Sequence, residues 1–143
     1  MFACLGQLDA LRMQISACRS AAGDAQVGEV SVPALLRDAE DQLLLIQAEL
    51  AGAPRSVPLT TVEHLGIATG RIEHMPISTG PVRMPGANER AAQFDIACAS
   101  ARNAALSLDR LHESGERAIS ASSRAYLTKL SALLRALGRL ASA

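Results

Sequence analysis

Aromatic residues are nearly absent from this 143-residue chain, which has no Trp, one Tyr and two Phe. Hydrophobic residues nevertheless make up 49% of the sequence. The core must therefore be filled by Leu, Ile and Ala, which suits closely packed helices better than strands. A chain of this length has room for one hydrophobic core, so we expect a single helical domain spanning residues 1–143.

The chain also lacks an excess of charge and any long apolar run. Fourteen basic and fourteen acidic residues give a formal net charge of zero. Without a basic run or stacking aromatics, the sequence argues against a nucleic-acid partner. No apolar run approaches the roughly 20 residues that span a bilayer, and the first residues lack the pattern of a signal peptide. We expect a cytoplasmic protein with no membrane partner.

Metal sites, disulfides and common nucleotide motifs are not indicated either. Cys4, Cys18 and Cys98 form no C-x-x-C pair, and we predict that they are buried, reduced thiols. The three histidines show no close spacing such as H-x-x-x-H, so no metal site is predicted. The sequence contains neither a G-x-x-x-x-G-K-[ST] phosphate loop nor a G-x-S-x-G nucleophile elbow.

Apolar residues recur every three or four positions, which predicts helices. The first helix should end near residues 20–23 and be followed by a loop over 23–31. Pro33 fits the first turn of a second helix, which should stop at residues 52–54. The predicted core stripes of these two helices are Leu5, Leu8, Leu11, Ile15 and Cys18, then Leu36, Ala39, Leu43, Ile46 and Leu50.

The pattern of apolar residues and breakers in the second half of the chain predicts three further helices. Thr60 and Glu63 have the form of a capping box for a third helix. The connection 76–86 holds three prolines and two glycines, so it cannot be regular structure. Asn88 is a predicted N-cap for a fourth helix, and a fifth should begin near Ser120 or Ser122. Five amphipathic helices predict an all-α five-helix bundle.

Five short segments resemble, in order, motifs of the PduO-type ATP:cob(I)alamin adenosyltransferases. They are residues 6–11 (GQLDAL), 48–51 (AELA), 75–76 (MP), 84–86 (MPG) and 126–134 (YLTKLSALL). The corresponding family motifs are G-T-x-D-E-L, A-E-L-A, L-P, L-P-G-G and Y-L-N-R-L-S-D-L-L. The resemblance implies a ferritin-like up-down bundle that assembles as a homotrimer, with cobalamin and Mg-ATP bound between subunits.

The resemblance also implies where ligands would bind. The corrinoid would face the loop that contains Pro81, Met84, Pro85 and Gly86, and the family's corrinoid-contacting aromatic aligns near Pro81. Arg102 and Lys129 are the implied nucleotide or phosphate contacts, because they stand within the family's R-R-A-E-R and N-R-L-S-D motifs. The alternative, that both are solvated charges on a helix face, is somewhat favoured over a phosphate contact.

Most of the family's catalytic charges are replaced in this chain. Residues 102–106 read RNAAL in place of R-R-A-E-R, and residues 128–132 read TKLSA in place of N-R-L-S-D. Ala10 stands for a family glutamate, and no T-R-T-G-D-x-G triphosphate loop precedes the first helix. Adenosyl transfer releases a highly charged triphosphate that cations and a metal must stabilise, and each positioned donor that is lost costs about 3–4 kcal/mol.

The sequence therefore favours a divergent adenosyltransferase-like protein with impaired catalysis. Such a protein would retain corrinoid or nucleotide binding, or act as a protein partner or regulator in cobalamin metabolism. One alternative is an active enzyme in which Arg102, Lys129 and Arg135 hold the triphosphate and a neighbouring subunit or an N-terminal segment supplies the loop. The other alternative is a structural or interaction bundle without a ligand, which docks through its apolar surface.

Overall fold

The computed structural model describes residues 1–75 and 88–141, which form five α-helices and one small β-hairpin. The prediction of an all-α five-helix bundle is confirmed. No helix in the described part of the chain has the length and apolar character needed to cross a membrane. The helices are α1 (Phe2–Ala22), α2 (Val32–Leu50), α3 (Leu59–Glu73), α4 (Glu89–Glu113) and α5 (Ala121–Ala141).

α1 packs against both α2 and α4, and it runs antiparallel to each of them. Near the end of α1, Arg19 Nε lies 2.7 Å from Glu40 Oε2 in the first half of α2. Near its start, the carbonyl oxygen of Leu5 accepts a 3.5 Å hydrogen bond from Gln47 Nε2. These two contacts, at opposite ends of the pair, define the antiparallel arrangement.

α5 packs against α4 and α3. Its end lies beside the start of α4, because Asn88 Nδ2 donates a 2.7 Å hydrogen bond to the carbonyl oxygen of Ala141. Further along α4, Cys98 Sγ donates to the carbonyl oxygen of Ser131 in the middle of α5 at 3.3 Å. The two contacts show that α4 and α5 are antiparallel. α3 instead runs parallel to α5, because the Val57 backbone N–H, just before α3, donates to Ser123 at the start of α5 and Gly66 lies beside Lys129 further along both helices.

The core consists mainly of aliphatic residues, as the shortage of aromatic residues predicts. Both predicted apolar stripes, on α1 and on α2, are confirmed, except that Leu5 lies only partly buried at the edge of the core. Small residues on α4 let neighbouring helices approach closely, since Ala97, Ala101 and Ala104 are all fully buried. The three cysteines are free and buried, as predicted.

A short β-hairpin occupies the segment for which a plain loop over 23–31 was predicted. Strands β1 (Gln26–Val27) and β2 (Val30–Ser31) pair antiparallel, with Val27 opposite Val30. Gly28 has a φ of 61°, which suits the first central position of a tight two-residue hairpin turn. The loop prediction was wrong because two-residue strands are too short to give a periodic signal.

The predicted capping box at the start of α3 was also wrong. The helix begins at Leu59 with Pro58 as its N-cap, and no side chain caps it. The Pro58 carbonyl oxygen accepts hydrogen bonds from the backbone N–H groups of Thr61 at 3.0 Å and Val62 at 3.2 Å. Since Pro58 is already in the conformation of a helix-preceding residue, the helix starts before Thr60 can serve as its cap.

Candidate functional site on the outer face of α4 and α5

The start of α4 is fixed by Asn88, which confirms the predicted N-cap. Its Oδ1 accepts a 2.8 Å hydrogen bond from the backbone N–H of Ala91. Through Nδ2 the same side chain also holds the last residue of α5. The loop residues predicted to face a corrinoid precede this point directly, but Pro81, Met84, Pro85 and Gly86 lie outside the described residues.

The start of α5 is held by a hydrogen-bond network that we call the Glu49 junction, made of Glu49, Val57, Ser120 and Ser123. Ser120 caps α5 by accepting from the backbone N–H of Ser123 at 3.2 Å, which confirms the first of the two predicted starts. The Glu49 carboxylate accepts from the Ser120 backbone N–H at 2.7 Å and from the Ser123 hydroxyl at 2.5 Å. Ser123 Oγ in turn accepts from the Val57 backbone N–H at 3.2 Å.

No sequence pattern predicted this junction. Glu49 belongs to the A-E-L-A segment, for which no chemical role was predicted. Its partners Ser120 and Ser123 are 71 and 74 residues away along the chain. Contacts at that separation leave no local signature, and only the packing of α2 against the start of α5 creates them.

On α4, the RNAAL segment has one buried position and several exposed ones. Ala104 is fully buried, whereas Arg102, Asn103 and Leu106 are exposed. Ala104 is the position that matches the alanine of R-R-A-E-R. The register of the resemblance is therefore compatible with the helix, since the small residue packs inward and the family's charged positions face outward.

The motif on α5 shows the same division between buried and exposed positions. Tyr126, Leu127 and Leu130, which match apolar or aromatic positions of the family motif, are fully buried. Thr128 and Lys129, which stand where the family has asparagine and arginine, are exposed. Thr128 and Lys129 are thus on the surface of the helix, Ala132 in place of the family's aspartate is half-buried, and the fully buried positions of the motif keep the family's residues.

Lys129 lies against α3. A β-carbon built on Gly66 of α3 would lie 3.7 Å from both Cε and Nζ of Lys129. Lysine side chains commonly cover a neighbouring surface with their alkyl stem while the ammonium group stays in water. Gly66 provides the space in which the stem of Lys129 rests.

Arg102 and Lys129 lie toward different sides of α5. α4, which carries Arg102, contacts α5 at Ser131 through Cys98. Positions 129 and 131 are separated by about 200° around a helix, so Lys129 points away from α4. Neither cation forms a hydrogen bond or an ion pair with the part of the chain that the structure describes, and the same is true of Arg135.

Several buried side chains of the core have shifted pKa values. Burial raises the pKa of Cys4, and it raises the pKa of Cys18 to about 11, so both thiols are protonated at neutral pH. Burial, together with the charges of Asp38 and Asp41, raises the pKa of the Tyr126 phenol. Across residues 1–75 and 88–141, no group of three His, Cys, Asp or Glu side chains is arranged to hold a metal ion.

The exposed positions of α4 and α5 therefore carry cations, and these cations lie toward different sides of α5. A family model described as cobalamin adenosyltransferase matches residues 1–141 of the chain, which includes all five helices. The chain belongs to the cobalamin adenosyltransferase family. This match confirms the family resemblance that the short motifs indicated. None of the curated proteins matches the chain.

Proposed function

We propose that this cobalamin adenosyltransferase-family protein binds a corrinoid or a nucleotide but transfers the adenosyl group slowly or not at all. The observation that carries the proposal is the outer face of α4 and α5. There the family's core positions are kept, whereas of the charged positions in the two motifs only Arg102 matches the family and Lys129 replaces an arginine with another cation.

The argument starts from α4. Asn103 and Leu106 occupy two exposed positions where the family motif has arginines, and Ala105 occupies that of its glutamate. Leu106 is 54% exposed, so an apolar side chain faces solvent where a cation would contact phosphate. Because each positioned donor contributes about 3–4 kcal/mol to stabilising the transition state, these replacements support a large loss of rate.

Three cations support retained binding. Arg102, Lys129 and Arg135 are all exposed, and none is engaged by an acidic side chain among the described residues. Because they are spread around α5, we propose that they attract an anion such as a triphosphate without enclosing it. Weak binding with little catalysis is what such a surface provides, since exposed cations act through a solvent that screens them.

A role in protein association is the second candidate. Large apolar side chains on the outer surfaces of α1 and α4 are exposed: Phe2 by 84%, Met13 by 69% and Ile96 by 56%. Surfaces of this kind support contact with another protein chain. We propose a homotrimer, as the family resemblance implies, and a protein partner in cobalamin metabolism fits the same surfaces.

The deciding experiment is an anaerobic titration of the protein with cob(II)alamin, with and without Mg-ATP, followed by absorbance. We expect a saturable spectral change on corrinoid addition and no adenosylcobalamin after a reductant is added. Formation of adenosylcobalamin at an ordinary enzymatic rate would instead identify an active adenosyltransferase. An unchanged spectrum at every concentration would exclude corrinoid binding and favour the association role.

Variants test whether the named cations take part. Arg102→Ala and Lys129→Ala should each weaken binding of inorganic triphosphate or Mg-ATP several-fold. Arg110→Ala is the matched control, because Arg110 is exposed in the last turn of α4, outside the motif. Equal affinities for all three variants would show that Arg102 and Lys129 are solvated surface charges.

A further inference from the structure

A groove between α2 and α3 has no role in the function proposed above. It has a volume of about 620 Å³, within the range of small-molecule sites. Asp38 of α2 and Glu29 of the hairpin turn lie on one side, and His64 and Arg71 of α3 lie on the other. Leu35 and Ala68, both buried, form an apolar floor between them. No residue of α4 or α5 lines the groove.

The two sides of the groove carry charges of opposite sign that are not paired with each other. Within the described part of the chain, Glu29, His64 and Arg71 form no side-chain hydrogen bond or ion pair. Asp38 accepts one hydrogen bond, at 3.3 Å, from the amide of Gln42. The carboxylates and the basic side chains are therefore free to contact a molecule between them.

We propose that the groove binds a small zwitterion of the α-amino acid type. Its carboxylate would contact Arg71 and His64, because a guanidinium group holds a carboxylate through two parallel hydrogen bonds. Its ammonium group would contact Asp38 and Glu29. Its aliphatic body would lie over Leu35 and Ala68. The opposite charges of the two walls select for a molecule that carries both signs over one that carries either alone.

The test uses probes that differ by one charged group at a time. Leucine and alanine are titrated into isotope-labelled protein and followed by NMR chemical shifts, beside isoamylamine, which lacks the carboxylate of leucine, and isocaproate, which lacks its amine. We expect saturable shifts of α2 and α3 resonances with the amino acids. Affinity for each single-charge probe should be lower by at least about tenfold, since a charge-assisted hydrogen bond is lost.

Variants then separate the two walls. Asp38→Asn and Arg71→Gln should each weaken amino-acid binding by about tenfold, the effect of one charged contact. Glu113→Gln and Arg110→Gln remove matching charges from exposed positions of α4 and should leave the affinity unchanged. The proposal is overturned if neither amino acid saturates at millimolar concentration, or if the groove and control variants bind alike.

Discussion

The Glu49 junction and the outer face of α4 and α5 use polar side chains in opposite ways. At the junction, one carboxylate contacts two serines at the start of α5, and one of those serines also holds the α2–α3 connection. On the outer face, Arg102, Lys129 and Arg135 are exposed and contact no acidic partner among the described residues. Polar groups that support the fold are satisfied internally, whereas those suited to binding are left open to solvent.

The comparison also shows which parts of the family pattern this chain keeps. Glu49 lies in a segment that matches the family motif, and it joins three parts of the fold. Most of the family's charged positions in the α4 and α5 motifs hold other residues, and these positions are exposed or half-buried rather than part of the core.

The largest expected effect is that of Glu49→Ala. The substitution removes the acceptor of the fully buried Ser123 hydroxyl and of the Ser120 backbone N–H at the start of α5. We expect the free energy of unfolding to fall by about 2–3 kcal/mol, since a buried donor loses its partner and a helix cap is weakened. Urea unfolding monitored by circular dichroism measures this free energy for the variant and the unmodified protein.

Glu113→Ala is the control for this prediction, because Glu113 is exposed at the end of α4. Its free energy of unfolding should stay within about 0.5 kcal/mol of the unmodified protein. If Glu49→Ala is as stable as this control, the junction contributes nothing to the fold and the contrast with the outer face disappears.

Asn88→Ala should have a smaller effect on stability. Asn88 caps α4 and also holds the end of α5 through its amide. Loss of an N-cap costs about 1 kcal/mol, and thermal unfolding should report a decrease of that size. Asn103→Ala, at an exposed position inside α4, should not destabilise the protein. Equal losses for the two asparagines would refute the capping role.

The double variant Arg102→Ala with Lys129→Ala should separate stability from binding. We expect a change of less than about 0.5 kcal/mol in the free energy of unfolding, because both side chains are exposed. Binding of Mg-ATP, measured by calorimetry, should weaken. A loss of stability of the size expected for Glu49→Ala would mean that the two cations support the fold after all.

We expect the least change of all when the native protein is treated with a thiol reagent. All three cysteines are buried, and burial raises the pKa of Cys18 to about 11. Since the thiolate is the reactive form, iodoacetamide at neutral pH should leave the native protein unmodified. Reactivity of Cys18 should rise only as the pH approaches its raised pKa. Mass spectrometry before and after urea denaturation provides the measurement, and rapid labelling of the native protein would contradict it.

Local sequence patterns predicted all five helices. They predicted the first residues of α4 and α5 correctly but not the start of α3. Asn88 was predicted as a cap and Ser120 as one of two possible starts of the fifth helix, and both side chains accept a hydrogen bond from the first turn of their helix. Thr60 fits the same pattern, but Pro58 begins α3 earlier through its backbone geometry. The hairpin at Gln26–Ser31 was missed because two-residue strands do not produce an alternating pattern.

The candidate site was predicted only in part. The motifs identified Arg102 and Lys129 as candidate contacts, and both are exposed. Their separation around α5 depends on which side of that helix α4 and α3 occupy, and sequence spacing does not contain this information. The corrinoid-facing loop around Pro85 stays a prediction, since it lies outside the described residues.

Sequence patterns were enough to predict the helical class, the apolar stripes that form the core and the family to which the chain belongs. These properties depend on residues close together along the chain, whose spacing sets which face of a helix is apolar. The tertiary structure alone decided the Glu49 junction, the separation of Arg102 from Lys129 and the groove between α2 and α3. Each of these depends on how distant helices pack, because a contact between residues far apart in the chain exists only once the bundle has formed.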